Sequence, residues 1–300
     1  DPLWSRGLGD VYKRQSNYYL HNFASIDESK DSVLMVPGAG MDHRIVKDIK
    51  LDDKKFNQTL AIDLPHHGYS TGPKLTTIEE YAEGIENVLG DMDLSNFHLC
   101  GHSMGGLIAL RLAFNEKLQF KSVNILNASC PMFVGGALLD DSRKNLDSAM
   151  DMLTTYGVNK PPKAKASGPM FGTMGSGFYQ KKSDLINTPY GSKKIVDKLD
   201  DEVDLYALKK LFNQITKDIL NNDLTACKNF AISDEEINNY QKQINFVLGE
   251  KDKLIPLKYV QKFCEGLEKS EILIIEDLSP FTFYEDPTKL SSELGKLLSK

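Results

Sequence analysis

Residues 97–114, FHLCGHSMGGLIALRLAF, decide the fold. A short strand-like stretch runs into Gly101-His102-Ser103-Met104-Gly105, and 107–114 continue with the apolar density of a buried helix. The pattern G-x-S-x-G is weak by itself; a strand before it and a helix after it are the context that gives it meaning. Small residues on both sides let the backbone close into a sharp turn, and the turn thrusts the serine hydroxyl out at the sheet edge. The start of the following helix also offers backbone N–H groups and a positive dipole end to a developing oxyanion. Ser103 is therefore the candidate nucleophile, with a merely structural Gly/Ser turn as the competing reading.

Outward from this turn, short apolar runs alternate with helical patterns, which points to βαβ units and a mostly parallel sheet. Residues 32–36 (SVLMV) read as a buried strand that ends at Pro37-Gly38-Ala39-Gly40. Residues 59–64 (TLAIDL) are the next strand, followed by a loop over 65–72. The spacing of Ile78, Tyr81, Ala82, Ile85 and Leu89 predicts a helix over 76–89, and Glu79 and Glu80 favour its first turn. Another strand is expected at 120–126. From 131 to 220 no strand is evident; helical stretches at 139–156 and 204–220 flank a Gly/Pro/Met-rich passage that begins at Pro161. Strand character returns at 244–248 (INFVL) and 272–275, and a helix over Pro287–Leu298 closes the chain. The expected organisation is an α/β core in two parts, 16–130 and 221–300, interrupted by a mainly helical insertion over 131–220.

A net charge of −6 argues against a general nucleic-acid surface, which needs an excess of Lys and Arg. No run approaches the roughly 18 apolar residues that a membrane span requires. Cys100, Cys130, Cys227 and Cys264 are widely spaced and match no zinc pattern. They read as free thiols of a reducing cytoplasm, which is the expected location. No P-loop, EF-hand or HExxH is present, and Gly38-x-Gly40 lacks the third glycine of a dinucleotide fingerprint because position 43 is His. Neither a cofactor nor a metal site is expected. Residues 1–15 have no strand or helix periodicity, and 10–15 (DVYKRQ) can be back-translated to a transposon end used in preparing sequencing libraries. The expectation is a non-native, adapter-derived tail with native protein starting near residue 16, an ordinary tail being the other reading.

With the elbow and these strands in order, the chain resembles the α/β-hydrolase superfamily, in its capped serine-hydrolase group, from about residue 18 to the end. Val36-Pro37-Gly38-Ala39-Gly40-Met41-Asp42-His43 resembles the oxyanion loop after the third strand. Asp63-Leu64-Pro65-His66-His67-Gly68-Tyr69-Ser70 resembles the DLPGHGxS loop after the fourth, with His66 in place of the usual Gly. Gly249-Glu250-Lys251-Asp252 resembles the turn that carries the triad acid, and Glu285-Asp286-Pro287 resembles the ExP that follows the triad histidine. The resemblance implies Ser103 as nucleophile, the backbone N–H groups of Ala39 and Met104 as oxyanion hole, and Asp252 as the acid that orients the base. Asp252, flanked by Lys251 and Lys253, also fits a solvated turn residue. The oxyanion loop begins Pro37-Gly38 where the family usually has His-Gly, so its customary prop is missing.

The base is where the pattern fails. In this superfamily the order along the chain is Ser, then Asp or Glu, then His. The six histidines are His21, His43, His66, His67, His98 and His102, and none follows Ser103. Anchored on Glu285 and Pro287, the family pattern GHxPxxExP puts Pro280 at the histidine, Ser279 at the preceding glycine and Thr282 at the usual proline. Proline has no titrating side chain and can neither take the serine proton nor return it. Deleting the base of such a triad costs about 10⁶ in turnover and leaves about 10³–10⁴ over water. That is roughly 8 kcal/mol of barrier.

Three explanations compete: a sequence error at codon 280, a base relocated to His43 or His67 on loops near the mouth of the site, and a scaffold whose hydrolysis is weak or lost while a small ester or acyl-like ligand still binds. The third is preferred because it needs no unseen rescue. His102 is expected to point away from the reacting face, His98 to lie in core or at an edge, and His21 on the surface. The resemblance implies that 131–220 cap the site; Met170, Phe171, Met174 and Phe178 would give an adaptable apolar wall, or simply pack the cap on the core. Eight lysines between 160 and 198, against Asp184 and Asp197, would attract an acidic ligand or form a solvated face.

Overall fold

The computed structural model describes residues 18–23, 26–90, 92–115, 117–159, 208–212 and 215–300. Its centre is a seven-stranded sheet of order β1-β3-β2-β4-β5-β6-β7. The strands are β1 (Tyr19–His21), β2 (Ser32–Val36), β3 (Leu60–Asp63), β4 (Phe97–His102), β5 (Ser122–Leu126), β6 (Ile244–Gly249) and β7 (Ser270–Ile275). Only β1 runs antiparallel to its neighbour, β3; the other pairings are parallel. Parallel strands covered by helices on both faces read as continuous apolar runs rather than alternations. Accordingly, every residue of β2 (SVLMV), β4 (FHLCGH) and β6 (INFVLG) is buried.

The helices follow from local chemistry. In α1 (Ile78–Leu89) the Thr77 side chain accepts from the Glu80 N–H and Glu80 reaches back to the Thr77 backbone, a reciprocal cap. That cap starts the helix at 78 rather than 76. Its buried face is the expected set, Ile78, Tyr81, Ala82, Ile85 and Leu89, and burying each large member stabilises by about 1.5–3 kcal/mol. In α2 (Met104–Asn115) residues are buried nearly all round, so the helix that follows Ser103 lies inside the core. The last helix, Pro287–Leu298, is opened by Asp286, whose side chain accepts from the Lys289 N–H, with Pro at the first position where no N–H is needed.

Between β5 and β6 the described residues contain helices and no strand. The stretch 139–156, expected as one helical piece, is two helices, α3 (Gly136–Lys144) and α4 (Leu146–Tyr156). Asn145 breaks them: its backbone leaves helical geometry and its side chain caps the second by accepting from the Ser148 N–H. Of the helix expected at 204–220, residues 208–209 are helical, Lys210–Phe212 form a 3-10 turn and a helix over Lys217–Asn229 runs past residue 220, while 204–207 and 213–214 lie outside the described residues. Extended backbone at Thr216 separates the two. The Gly/Pro/Met-rich passage, Met170, Phe171, Met174, Phe178 and the lysines of 160–198 lie outside the described residues, as do 1–17.

Candidate active site

The carboxyl ends of β2, β4, β5 and β6 meet along one sheet edge, the edge where open α/β sheets bind their ligands. Val36 pairs with Gly101, Gly101 with Ile125, and Ile125 with Phe246, so the turns that leave these strands are brought side by side. Ser103 stands between β4 and α2 with φ 52°, the left-handed region that non-glycine residues seldom occupy. Its N–H donates to the Leu126 carbonyl (2.9 Å), which ties the elbow to β5. A Cβ at Gly101 would lie 2.1 Å from the Gly105 carbonyl oxygen, and one at Gly105 2.0 Å from that of Val36. These contacts are the physical reason for the glycines of the motif. The backbone N–H groups of Ala39 and Met104 donate to no acceptor among the described residues, and the Ser103 hydroxyl has no hydrogen bond there.

Asp252 lies on the turn after β6 with its carboxylate filled from below. One oxygen accepts from the N–H groups of Leu254 (2.8 Å) and Ile255 (2.7 Å), the other from Asn127 Nδ2 (3.0 Å). Burial raises its pKa above the ordinary carboxylate value, against the lowering effect of those donors. Asn127, absent from the sequence reading, sits at the end of β5 with φ 49° and donates its own N–H to the Val247 carbonyl. A polar residue directly after a buried strand was the one signal for it.

The turn after β7 is held by groups other than the side chain of Pro280. Ser279 is fully buried; its N–H (3.0 Å) and hydroxyl (2.5 Å) both reach Glu285 Oε2, and the hydroxyl also faces the Gly157 carbonyl at 2.8 Å. The other Glu285 oxygen accepts from the Asn159 N–H (2.7 Å), and the Phe281 N–H donates to Gly157 (3.1 Å). His102 Nε2 donates to the Pro280 carbonyl at 2.9 Å, while Phe283 packs edge-on against the imidazole with centroids 4.9 Å apart. The His102 Nδ1 is buried without a partner among the described residues, and burial lowers the pKa of the ring to about 4, against the raising effect of the Pro280 carbonyl. The ring is therefore neutral and points beneath the turn.

The remaining histidines are occupied elsewhere. His43 Nδ1 lies 2.8 Å from Asp63 Oδ2, and the ring stacks on Tyr69 (5.1 Å) and beside His21 (4.7 Å). Burial works to lower its pKa, but the Asp63 carboxylate prevails and raises it. His67 is wholly buried, with Nε2 2.8 Å from Asp223 Oδ2 and Nδ1 2.9 Å from the Pro65 carbonyl. Both ring nitrogens face acceptors, so the imidazolium is the form that satisfies both; burial opposes the charge and Asp223 raises the pKa despite it. His66 is exposed with φ 64°, in the left-handed conformation that the glycine usual at this place would take without strain. His98 is buried in β4 with Nδ1 2.7 Å from Ser122 Oγ. His21, expected at the surface, is half-buried and packed on His43.

Asp42, His43 and Asp63 are the one group among the described residues with ligand atoms close enough (within 4.8 Å) for a metal ion. Their atoms are already engaged: Arg44 Nε donates to Asp42 at 2.7 Å, and the N–H groups of His43 (2.6 Å) and Tyr69 (2.9 Å) donate to Asp63. That donor set builds the loop rather than leaving an open ion site. Asp223, on the helix Lys217–Asn229, is the second residue missed in the sequence. Its wholly buried carboxylate accepts from His67, from Tyr81 OH (2.9 Å) and from the Gly40 N–H (3.0 Å).

A parallel sheet in this order, with a strained serine at the turn into a buried helix, defines the α/β-hydrolase class of fold. The alpha/beta hydrolase family model matches residues 33–293, and the chain belongs to that family. It is 22% identical over 251 residues to the AB hydrolase superfamily protein YisY of Bacillus subtilis, covering 81% of this chain and 82% of that one. It is 26% identical over 106 residues to 3-oxoadipate enol-lactonase 1 of Acinetobacter baylyi, a match spanning 35% of this chain and 40% of the lactonase. Among solved structures, an esterase from Exiguobacterium antarcticum superimposes with TM-score 0.70 at 16% identity, covering 94% of this chain and 96% of that one. The enol-lactonase of Burkholderia xenovorans does so with TM-score 0.68 at 16% identity and the same coverage. At these identities the structural likeness is one of fold.

Proposed function

We propose that this is a serine-hydrolase scaffold of carboxylic-ester type that has kept its nucleophile position, Ser103, its acid position, Asp252, and its oxyanion donors, Ala39 and Met104, but has no general base. Turnover is weak or absent, and a small ester or acyl-like ligand still binds under a helical cap at 131–220. One observation carries this reading: every histidine of the chain precedes Ser103. Anchoring the family pattern on Glu285 and Pro287 would put its histidine at Pro280. The hydrogen bonds agree with it. The Ser103 hydroxyl has no partner among the described residues, both nitrogens of His67 are taken, and His43 is paired with Asp63. That an esterase and an enol-lactonase share the fold is what supports the proposed substrate class, an acyl carbon bearing an oxygen leaving group.

The test is hydrolysis of short p-nitrophenyl esters by the unmodified chain and by Pro280→His. The expected result is a rate near the uncatalysed one in the first and a gain of at least about 10²-fold in the second, a fraction of the about 10⁶ a triad base supplies. Ordinary esterase turnover in the unmodified chain, abolished by His43→Ala or His67→Ala, would instead establish a relocated base. For ligand binding, a medium-chain fatty acid should raise the melting temperature of Ser103→Ala as much as that of the parent.

A further inference from the structure

We propose that Asp223 is a positioning residue for the oxyanion loop: from the helix Lys217–Asn229, its carboxylate fixes the direction of the Ala39 N–H by holding the Gly40 N–H next to it. The inference rests on the reading that Ala39 and Met104 are the oxyanion donors, and it answers what Pro37 leaves open. Pro37 has neither an N–H nor a polar side chain, so the first residue of the loop offers no hydrogen-bond donor to prop it. Inside the loop the Met41 N–H donates to the Gly38 carbonyl at 3.0 Å, which closes a turn but does not tie it to the rest of the protein.

At its far end the loop is tied by the His43 N–H to Asp63 (2.6 Å); the tie next to Ala39 is Asp223. Gly40 N lies 3.0 Å from Asp223 Oδ2, across 183 residues of chain. The Ala39–Gly40 peptide shares the Ala39 Cα with the peptide that carries the Ala39 N–H. Because each peptide is planar, holding one leaves the other only the two dihedrals of Ala39. Gly40 itself has φ +70°, and a Cβ there would come within 2.9 Å of Ile215 Cδ1 and 3.1 Å of Leu220 and Phe212 side chains. The same return segment therefore packs on the loop and bonds to it. The carboxylate cannot swing away, because His67 Nε2 (2.8 Å) and Tyr81 OH (2.9 Å) hold both its oxygens in a fully buried setting. Those two partners satisfy the buried charge; the bond to Gly40 is the one that reaches the site.

The experiment compares the parent with Asp223→Ala, Asp223→Asn and, as a stability control, Leu290→Ala, a core truncation on the last helix. Two readouts are taken below the melting transition of every variant. The first is the second-order rate of Ser103 labelling by an alkyl fluorophosphonate, followed by intact mass, since the phosphoryl oxygen must sit between the oxyanion donors. The second is amide hydrogen exchange at Gly40. A misplaced donor costs about 10–100-fold, so Asp223→Ala should label that much more slowly, Asp223→Asn less so, and Leu290→Ala at the parent rate. Gly40 should exchange slowly in the parent and at least about tenfold faster in Asp223→Ala, in keeping with loss of its hydrogen bond. Parent-like labelling in a folded Asp223→Ala protein would overturn the proposal, as would equal slowing in Leu290→Ala or fast Gly40 exchange in the parent. A parent that resists labelling altogether is what the missing general base predicts, and Gly40 exchange alone then decides whether Asp223 holds the loop.

Discussion

Replacing Glu285 by Ala removes the acceptor that shapes the turn after β7, and its cost can be worked from the contacts. The Ser279 N–H is buried and bonded to Glu285 at 3.0 Å; without the carboxylate it is left dry, at about 1–3 kcal/mol. The Ser279 hydroxyl loses less, because the Gly157 carbonyl stands ready at 2.8 Å. The Asn159 N–H, 2.7 Å from Glu285, belongs to an exposed residue and exchanges a charge-assisted bond for water, at about 1 kcal/mol. The sum is about 2–4 kcal/mol, or roughly 3–7 °C in melting temperature for a domain of this size. Thermal and urea unfolding followed by circular dichroism measure it, with Glu285→Gln, which keeps one acceptor oxygen, expected to lose less than half as much. A Glu285→Ala protein that melts within about 2 °C of the parent would refute the reasoning, because the turn would then be held by something other than this carboxylate.

Other outcomes follow from single residues. His102 has its pKa lowered to about 4, so between that value and the ordinary 6.5 the unfolded chain binds the extra proton and the folded one does not. Stability is therefore full above pH 6.5 and falls as pH drops toward 4, by about 3 kcal/mol from this group. Urea midpoints for the parent and His102→Gln at neutral and acid pH check this; an equal pH slope in both would sink it. His66→Gly should raise stability by up to about 1 kcal/mol, since relief of a left-handed side chain exceeds the added entropy of glycine, and a lower melting point would count against it. Asn127→Ala should cost about 1 kcal/mol by freeing one oxygen of half-buried Asp252, measured by urea unfolding; a stability unchanged within about 0.3 kcal/mol would remove Asn127 from the support of the acid.

What could be read along the chain was what neighbours in sequence determine. The apolar runs of β2, β4 and β6, the face of α1, the elbow at Ser103 and the closing helix all depend on residues a few places apart, and each stands where its pattern put it. The break at Asn145 was equally local, an N-cap lying inside a helical pattern, and was passed over because the periodicity continues across it. Asp223 and Asn127 were illegible for a different reason. Their partners lie 183 and 125 residues away; nothing in the immediate sequence marks Asp223, and Asn127 is signalled only by following a buried strand. Ser279 looked like a lost family residue; its role became physical only when Glu285 and Gly157 were seen on either side of it.

The anchoring of that last turn has a consequence for how such a site changes over time. Ser279, Glu285, the main chain of Gly157 and Phe281, and the imidazole under the Pro280 carbonyl keep the backbone in place. None of these bonds uses the side chain of residue 280. Substitution there is thus a swap of cargo on a fixed mount: a mutational step at one codon alters what the turn presents without first dismantling the turn. On the function proposed above, the hydrogen bonds that hold this turn and the chemistry it presents rest on different atoms.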